Sequence, residues 1–238
     1  MGEQFSFLCV DPSDQSMMEQ IYRLRLRVYG EECGFIDPKD YPEGMERDGY
    51  DDQAAHFVAL GEPGDVIGYL RMILPGKLQL PFEEHFPELQ IDPDIRTAGA
   101  YSEISRLVIS KRLRRRRHDG IYYEPEFQDR VVKAEDGQEF MRRAKPMAFG
   151  LYREMYQESK RRGLKEWYSI MEKTLWILLK VHGFNFKCVG EEVDIFGPVR
   201  PYRGNIAGIE EEIRTKHPDF WAYFTGDSSW GVQTSRVF

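Results

Sequence analysis

The sequence predicts an α/β fold, with a central mixed, mostly antiparallel sheet flanked by helices. Three observations predict it. A segment near the start carries the apolar period of an amphipathic helix, two apolar runs stand either side of a turn of hairpin length, and the second half alternates helical with strand-like stretches. The composition agrees, since 41% hydrophobic, 31% charged and 13% aromatic residues over 238 positions suit a globular chain with a sizeable core.

The first helix is "DQSMMEQIYRLRLRVYGEECG", with Asp14 placed to cap it and Met17, Ile21, Leu24 and Val28 on one apolar stripe. Gly34 can end it. Arg25 falls on the flank of that stripe beside Met18, Tyr22 and Tyr29, so it is the arginine expected to be partly buried and to need an anion. The next stretch, "FIDPKDYPEGMERDGYDD", is rich in acids and has two prolines, and it reads as a loop longer than ordinary connections. Such loops often carry function.

"AAHFVALG" and "DVIGYLRMIL" read as two strands joined at Glu62-Pro63-Gly64-Asp65. Arg71 alternates with Ile67, Tyr69 and Ile73, which sends a charge to the same side as an apolar row. An irregular stretch with short helical possibilities follows, and "YSEISRLVIS", Tyr101 to Ser110, is a third strand. Residues 118–140 read as an inserted surface segment. A long helix is expected from about Arg142 to Gly163, then the strand "KEWYSIM", the helix "EKTLWILLKVHGF", a last strand or hairpin in "KCVGEEVDIFG", and a final helix in "GIEEEIRTKHPDFWAYF". The simplest account is one domain over residues 1–238.

Several classes are excluded or disfavoured. No apolar run is long enough to span a membrane and the N-terminus lacks a basic-then-apolar pattern, so stable membrane insertion is not expected and a cytoplasmic location is. Cys9, Cys33 and Cys188 are far apart and odd in number, and the five histidines have no ligand spacing, so neither a disulfide framework nor a metal site is expected. The net charge is −7, yet "KRLRRRR" (Lys111 to Arg117) holds six basic residues, so the rest of the chain stands at −13. A local basic run on an acidic chain suits docking of something acidic better than nucleic acid.

Four motifs in order resemble one branch of a known fold. "LRLRVYGEECGF" supplies Arg25, Tyr29, Gly34 and Phe35; "GMERDGYD" supplies Glu46, Asp48 and Asp51; the second strand supplies Arg71; and "EISR" supplies Glu103, Ser105 and Arg106. Together they resemble the acyl-homoserine-lactone (autoinducer) synthases and the related N-acyl amino acid synthases of the GCN5-related N-acetyltransferase (GNAT) fold. The second half, through "LYREMYQESKRRGL", "MEKTLWILLKVHGF" and "FGPVRPY", resembles the branch associated with bacterial exosortase and PEP-CTERM protein sorting.

The resemblance implies transfer of a fatty acyl group from a phosphopantetheine thioester to an amine, with acyl carrier protein as donor and acyl-CoA as the alternative, and with no permanently bound cofactor. Phe35 stands where homoserine-lactone synthases usually carry Trp, which moves the expected acceptor from S-adenosylmethionine toward an amino acid or another small amine. Glu103 is then the first candidate for the base that deprotonates the amine, and Glu46 the second. Arg25, Tyr29, Phe35, Asp48, Asp51, Arg71, Ser105 and Arg106 would shape the substrate site. Arg112, Arg114, Arg115, Arg116 and Arg117 would dock the acidic carrier protein. An acyl-CoA-dependent N-acyltransferase and a non-catalytic nucleic-acid-binding module are the competing readings.

Strict alternation sends Glu103 and Arg106 to opposite faces of their strand, so their meeting requires a bulge.

Overall fold

The computed structural model describes residues 5–61, 63–110 and 134–226, without the side chains of 134–146. The basic run and residues 118–133 of the inserted segment lie outside the described residues. Residues 134–140 are helical and open the long helix, which was expected from about Arg142 and here begins at Ala134.

Eight strands form the sheet among the described residues, in the order β1-β2-β3-β4-β5-β8-β6, with β7 pairing β8 off this path. They are β1 (Ser6–Val10), β2 (Ala54–Leu60), β3 (Val66–Ile73), β4 (Tyr101–Ile109), β5 (Glu166–Met171), β6 (Lys187–Cys188), β7 (Val193–Asp194) and β8 (Pro198–Asn205). Only the β4–β5 pair is parallel. The mixed, mostly antiparallel sheet is therefore as expected, although β1 and β8 were not read from the sequence.

Seven α-helices accompany it among the described residues: α1 (Gln15–Leu26), α2 (Pro81–His85), α3 (Pro93–Thr97), α4 (Ala134–Arg161), α5 (Lys173–Val181), α6 (Ile206–Lys216) and α7 (Pro218–Thr225). Asp14 caps α1 by accepting from the Met17 amide at 3.0 Å. The expected single final helix is two, because Pro218 opens α7 and the non-helical backbone of His217 breaks the run. None of the described helices is long and apolar enough to cross a membrane.

The sheet has a different partner on each face. On one, Met18, Ile21, Leu24 and Val28 from α1 and the turn after it pack with Val58, Tyr69 and Val108. Met18 rather than Met17 is the buried residue at the start of that stripe. On the other, Met147, Leu151 and Met155 of α4 join Phe57, Leu70, Ile104 and Trp167 in the main core, with α6 and α7 completing it. Ile67 packs with this second cluster, not with Tyr69, and the register of β2 against β3 shifts near that end of the strands, between Ala59 and Leu60. Tyr69, Arg71 and Ile73 keep to the first face, where Ile73 joins Leu80, Phe82, Tyr101 and Tyr168 in a third cluster.

Two irregularities set the stage for the site. The β4–β5 ladder runs only from Tyr101 opposite Glu166 to Glu103 opposite Tyr168, although β4 continues to Ile109, so the paired part of the sheet opens beyond Glu103. In the β3–β4 ladder, Tyr69 faces Val108 and Arg71 faces Ser105, leaving Arg106 and Leu107 together opposite Leu70. That extra residue is a β-bulge. Arg106 sits in it with φ of 54°, a left-handed backbone uncommon for a residue with a β-carbon.

Candidate active site

The bulge changes which side chains share a face. Glu103 and Ser105 alternate normally, and the extra residue then turns Arg106 to the same side, where it meets the acidic loop. Ser105 accepts a hydrogen bond from Arg71 Nε at 3.0 Å, directly across the ladder.

Arg25, Arg71 and Arg106 converge with Glu46, Asp48 and Asp51 into one neutral cluster of three guanidinium groups and three carboxylates. Arg25 is fully buried; its Nε pairs with Glu46 and its Nη1 lies 2.6 Å from Asp51. Arg71 Nη1 donates to Asp48 at 2.6 Å and to Asp51 at 2.7 Å. Arg106 reaches Glu46 at 3.2 Å and Asp48 at 3.0 Å through Nη2. The crowding of acids on the loop is thus answered by arginines from three separate segments. Their charges are compensated where water is scarce, as buried charges must be.

Local backbone shapes the loop to receive them. The Asp48 amide donates to Asp51 Oδ2 at 2.8 Å and the Tyr50 amide to Asp48 Oδ1 at 3.0 Å, so each acid also ties down its own turn. The Glu46 amide donates to the Tyr22 carbonyl at 3.1 Å, anchoring the loop to α1. Burial raises the carboxyls of Glu46 and Asp51, but hydrogen bonds and charge from Arg25, with Arg106 for Glu46 and Arg71 for Asp51, outweigh it and hold both below the ordinary range. Glu46 therefore stays an ion-paired carboxylate with little tendency to take up a proton.

Glu103 differs. It is 2% exposed and lies among Ile73, Phe82, Tyr101 and Tyr168 of the third cluster, accepting from the Phe82 amide at 2.8 Å. Burial pushes its carboxyl up to about 8, while the Phe82 amide and the charges of Arg71 and Arg106 pull only partly the other way. A carboxyl poised there can exchange a proton near neutrality.

Tyr29 and Phe35 come from the turn that follows α1. The chain leaves α1 through a π-helix, Arg27–Glu32, and Gly34 with φ of 68° reverses it so that the Phe35 amide donates to the Tyr29 carbonyl at 2.8 Å. The two rings stack at 6.2 Å, and the Arg106 guanidinium lies 5.5 Å from the centre of the Tyr29 ring. All ten candidate residues outside the basic run thus lie around the bulge, ten being Arg25, Tyr29, Phe35, Glu46, Asp48, Asp51, Arg71, Glu103, Ser105 and Arg106. The basic-run residues are outside the described part.

Sequence reasoning missed His56. It is fully buried on β2, with Nε2 3.0 Å from the Asp51 carbonyl and Nδ1 2.8 Å from the Tyr69 hydroxyl. A carbonyl can only accept, so Nε2 carries the proton and Nδ1 of the neutral ring accepts from Tyr69. Burial, foremost, keeps the ring neutral by lowering its pKa. A lone histidine inside an apolar strand gives no sequence signal of this role. Among the described residues no group of His, Cys, Asp and Glu has the arrangement of a metal site.

Comparison with known proteins accords with this geometry. A family model described as an acetyltransferase (GNAT) domain matches residues 24–123. No curated protein sequence matches the chain. Among solved structures, the AHL synthase LasI shares 16% identity at a TM-score of 0.57, covering 86% of this chain and 91% of its own. BjaI, a CoA-dependent acyl-homoserine lactone synthase solved with MTA, shares 19% at 0.59, covering 92% and 90%. FeeM, an N-acyl amino acid synthase from uncultured soil microbes, shares 11% at 0.57, covering 89% and 95%. The chain has the GNAT fold.

Proposed function

We propose that this protein is an acyltransferase that moves a fatty acyl group from a thioester to the amino group of an amino acid or a related small amine. The observation that carries the reading is Glu103, a carboxyl with its pKa raised to about 8, on the strand that bulges at Arg106 and beside the point where β4 and β5 stop pairing. The acetyltransferase-domain match and the likeness to LasI, BjaI and FeeM support the same class.

The chemistry asks little beyond this. An α-amino group has a pKa of about 7.7–8.0, close to that of Glu103, so the carboxylate or a water it holds takes the ammonium proton with almost no mismatch. The neutral nitrogen attacks the thioester carbonyl carbon. The resulting oxyanion is received by backbone N–H groups at the bulge, the nitrogen gives up its second proton to solvent, and the C–S bond breaks to leave an amide and a thiolate. The thiolate, whose conjugate thiol has a pKa of about 8.5, takes the proton held by Glu103, which restores the base. No cysteine nucleophile is needed.

The donor is acyl carrier protein, docked in the cytoplasm by Arg112 and Arg114 to Arg117. The alternative is acyl-CoA, and BjaI, described as CoA-dependent, keeps it in view. Glu103 is the base, and Glu46 serves the cluster. The exosortase-associated branch and the single domain with its inserted segment remain parts of the same reading.

Mass spectrometry of lipids from cells producing the protein tests it. A new acyl-amide, absent from cells producing folded Glu103→Ala, names donor chain and acceptor together. Identical lipid profiles from cells with and without the wild-type protein would refute the reading.

A further inference from the structure

Phe196 stands at the tip of the turn between β7 and β8, far along the chain from the acidic loop. It is 61% exposed and its backbone is left-handed, with φ of 56°. Both features run against ordinary folding preference. An aromatic ring gains nothing from water, and a residue with a β-carbon is disfavoured in that conformation, where Gly or Asn is the usual choice. The turn itself is well formed without the ring: the Ile195 amide donates to the Gly197 carbonyl at 3.0 Å and the Gly197 amide to Asp194 Oδ1 at 3.1 Å. Backbone strain at an exposed residue points to a use for its side chain.

The ring has one aromatic partner among the described residues, Phe35, stacked at 5.8 Å with 24° between planes. Phe35 in turn stacks on Tyr29, over which lies Arg106. A continuous aromatic line therefore runs from the C-terminal hairpin to the guanidinium at the bulge. Arg106 spends Nε and Nη2 on Glu46 and Asp48, its side chain is one-third exposed, and Nη1 makes no hydrogen bond to any described residue. The line thus ends at a guanidinium with one nitrogen still open on one side and at an exposed apolar ring on the other.

We infer that Phe196 is a specificity-determining residue of the acceptor site, forming with Phe35 an apolar wall that selects an α-amino acid with an apolar side chain, its carboxylate held by Arg106. The inference rests on the acyltransferase reading and adds to it the class of acceptor. The two rings touch one another, so the acceptor side chain lies along the wall rather than between them. The hairpin brings a residue from the second half of the chain beside candidate residues that all come from the first.

The test uses purified full-length protein and two probes, L-leucine and glycine. With a hexadecanoyl thioester as donor, on carrier protein and on CoA in parallel, thiol release should show a higher kcat/KM for leucine. Phe196→Asn should shrink the leucine-to-glycine ratio at least tenfold, through KM, without lowering the melting temperature, because Asn suits the left-handed backbone. Phe196→Tyr should retain the ratio. An unchanged ratio in Phe196→Asn overturns the inference, as does a changed preference for acyl length with the amino-acid ratio intact.

Calorimetric binding of leucine separates this from the parent reading. Binding weakened at least fivefold by Phe196→Asn supports the wall even if no thiol is released with either donor, an outcome that removes the acyltransferase reading instead. Binding equal in the two proteins overturns the wall.

Discussion

The carboxyl group of Glu103 accepts a hydrogen bond from the main-chain amide of Phe82, 2.8 Å away, at the N-terminal end of the short helix α2. That amide is its one hydrogen-bond donor among the described residues, in surroundings that are otherwise largely apolar. The result is an acid that folding holds back from ionising, in contrast to Glu46 and Asp51 of the nearby loop, which are held below the ordinary range.

A stability profile follows from it. The folded carboxyl is raised from 4.5 to about 8, so the unfolded chain releases its proton first as pH rises. The contribution of Glu103 is fully present below about 4.5 and is lost progressively as pH climbs through about 8. Urea unfolding of Glu103→Gln should therefore lose less stability than wild type between pH 6 and about 8.5. Parallel curves for the two proteins would contradict the assignment.

The ion-pair cluster should behave as one unit. Arg25→Met leaves Glu46 and Asp51 buried without their main partner and should cost about 3–5 kcal/mol in denaturant unfolding. Glu46 and Asp51 are held below their ordinary values, so the stability they supply is present above the unfolded carboxylate range and lost as pH falls below it. Asp48→Ala separates structure from function: if it proves fully folded and fully active, the cluster does not shape the site.

The bulge makes a finer prediction. Arg106→Ala and Arg106→Gly both remove the guanidinium from Glu46 and Asp48, but only glycine adopts φ near 54° without penalty. The alanine variant should be the less stable, by on the order of 1 kcal/mol in chemical denaturation. Equal stabilities would mean that the backbone there is not strained.

Charge reversal in the basic run, Arg115→Glu with Arg116→Glu, should raise KM for a carrier-protein donor and flatten its dependence on salt, with kcat for an acyl-CoA donor little changed. Unaltered kinetics with carrier protein in a folded variant would remove the docking role.

What the sequence made legible was whatever has a period or a local motif. The α1 stripe, the β2–β3 hairpin and the acids at Glu46, Asp48 and Asp51 all announce themselves by spacing. β8 did not, because Pro198, Pro201, Gly204 and two arginines oppose strand propensity; it is recruited by β5 on one side and by β6 and β7 on the other. β1 is a five-residue edge strand with no alternation to mark it. The bulge was legible only as a condition, since bringing Glu103 and Arg106 to one face required it. His56 and Phe196 were invisible because their roles come from tertiary neighbours: a carbonyl and a phenol for one, a ring some 160 positions away for the other.

The most direct test is the pH dependence of kcat/KM for amide formation by purified wild type and Glu103→Gln, both shown to be folded. Wild type should rise with pH and level off above about 8, where Glu103 becomes a carboxylate, and the Gln variant should be slower by about 10²–10⁴-fold with no inflection from that group. A Gln variant with wild-type rates and the same inflection would show that another group takes the proton.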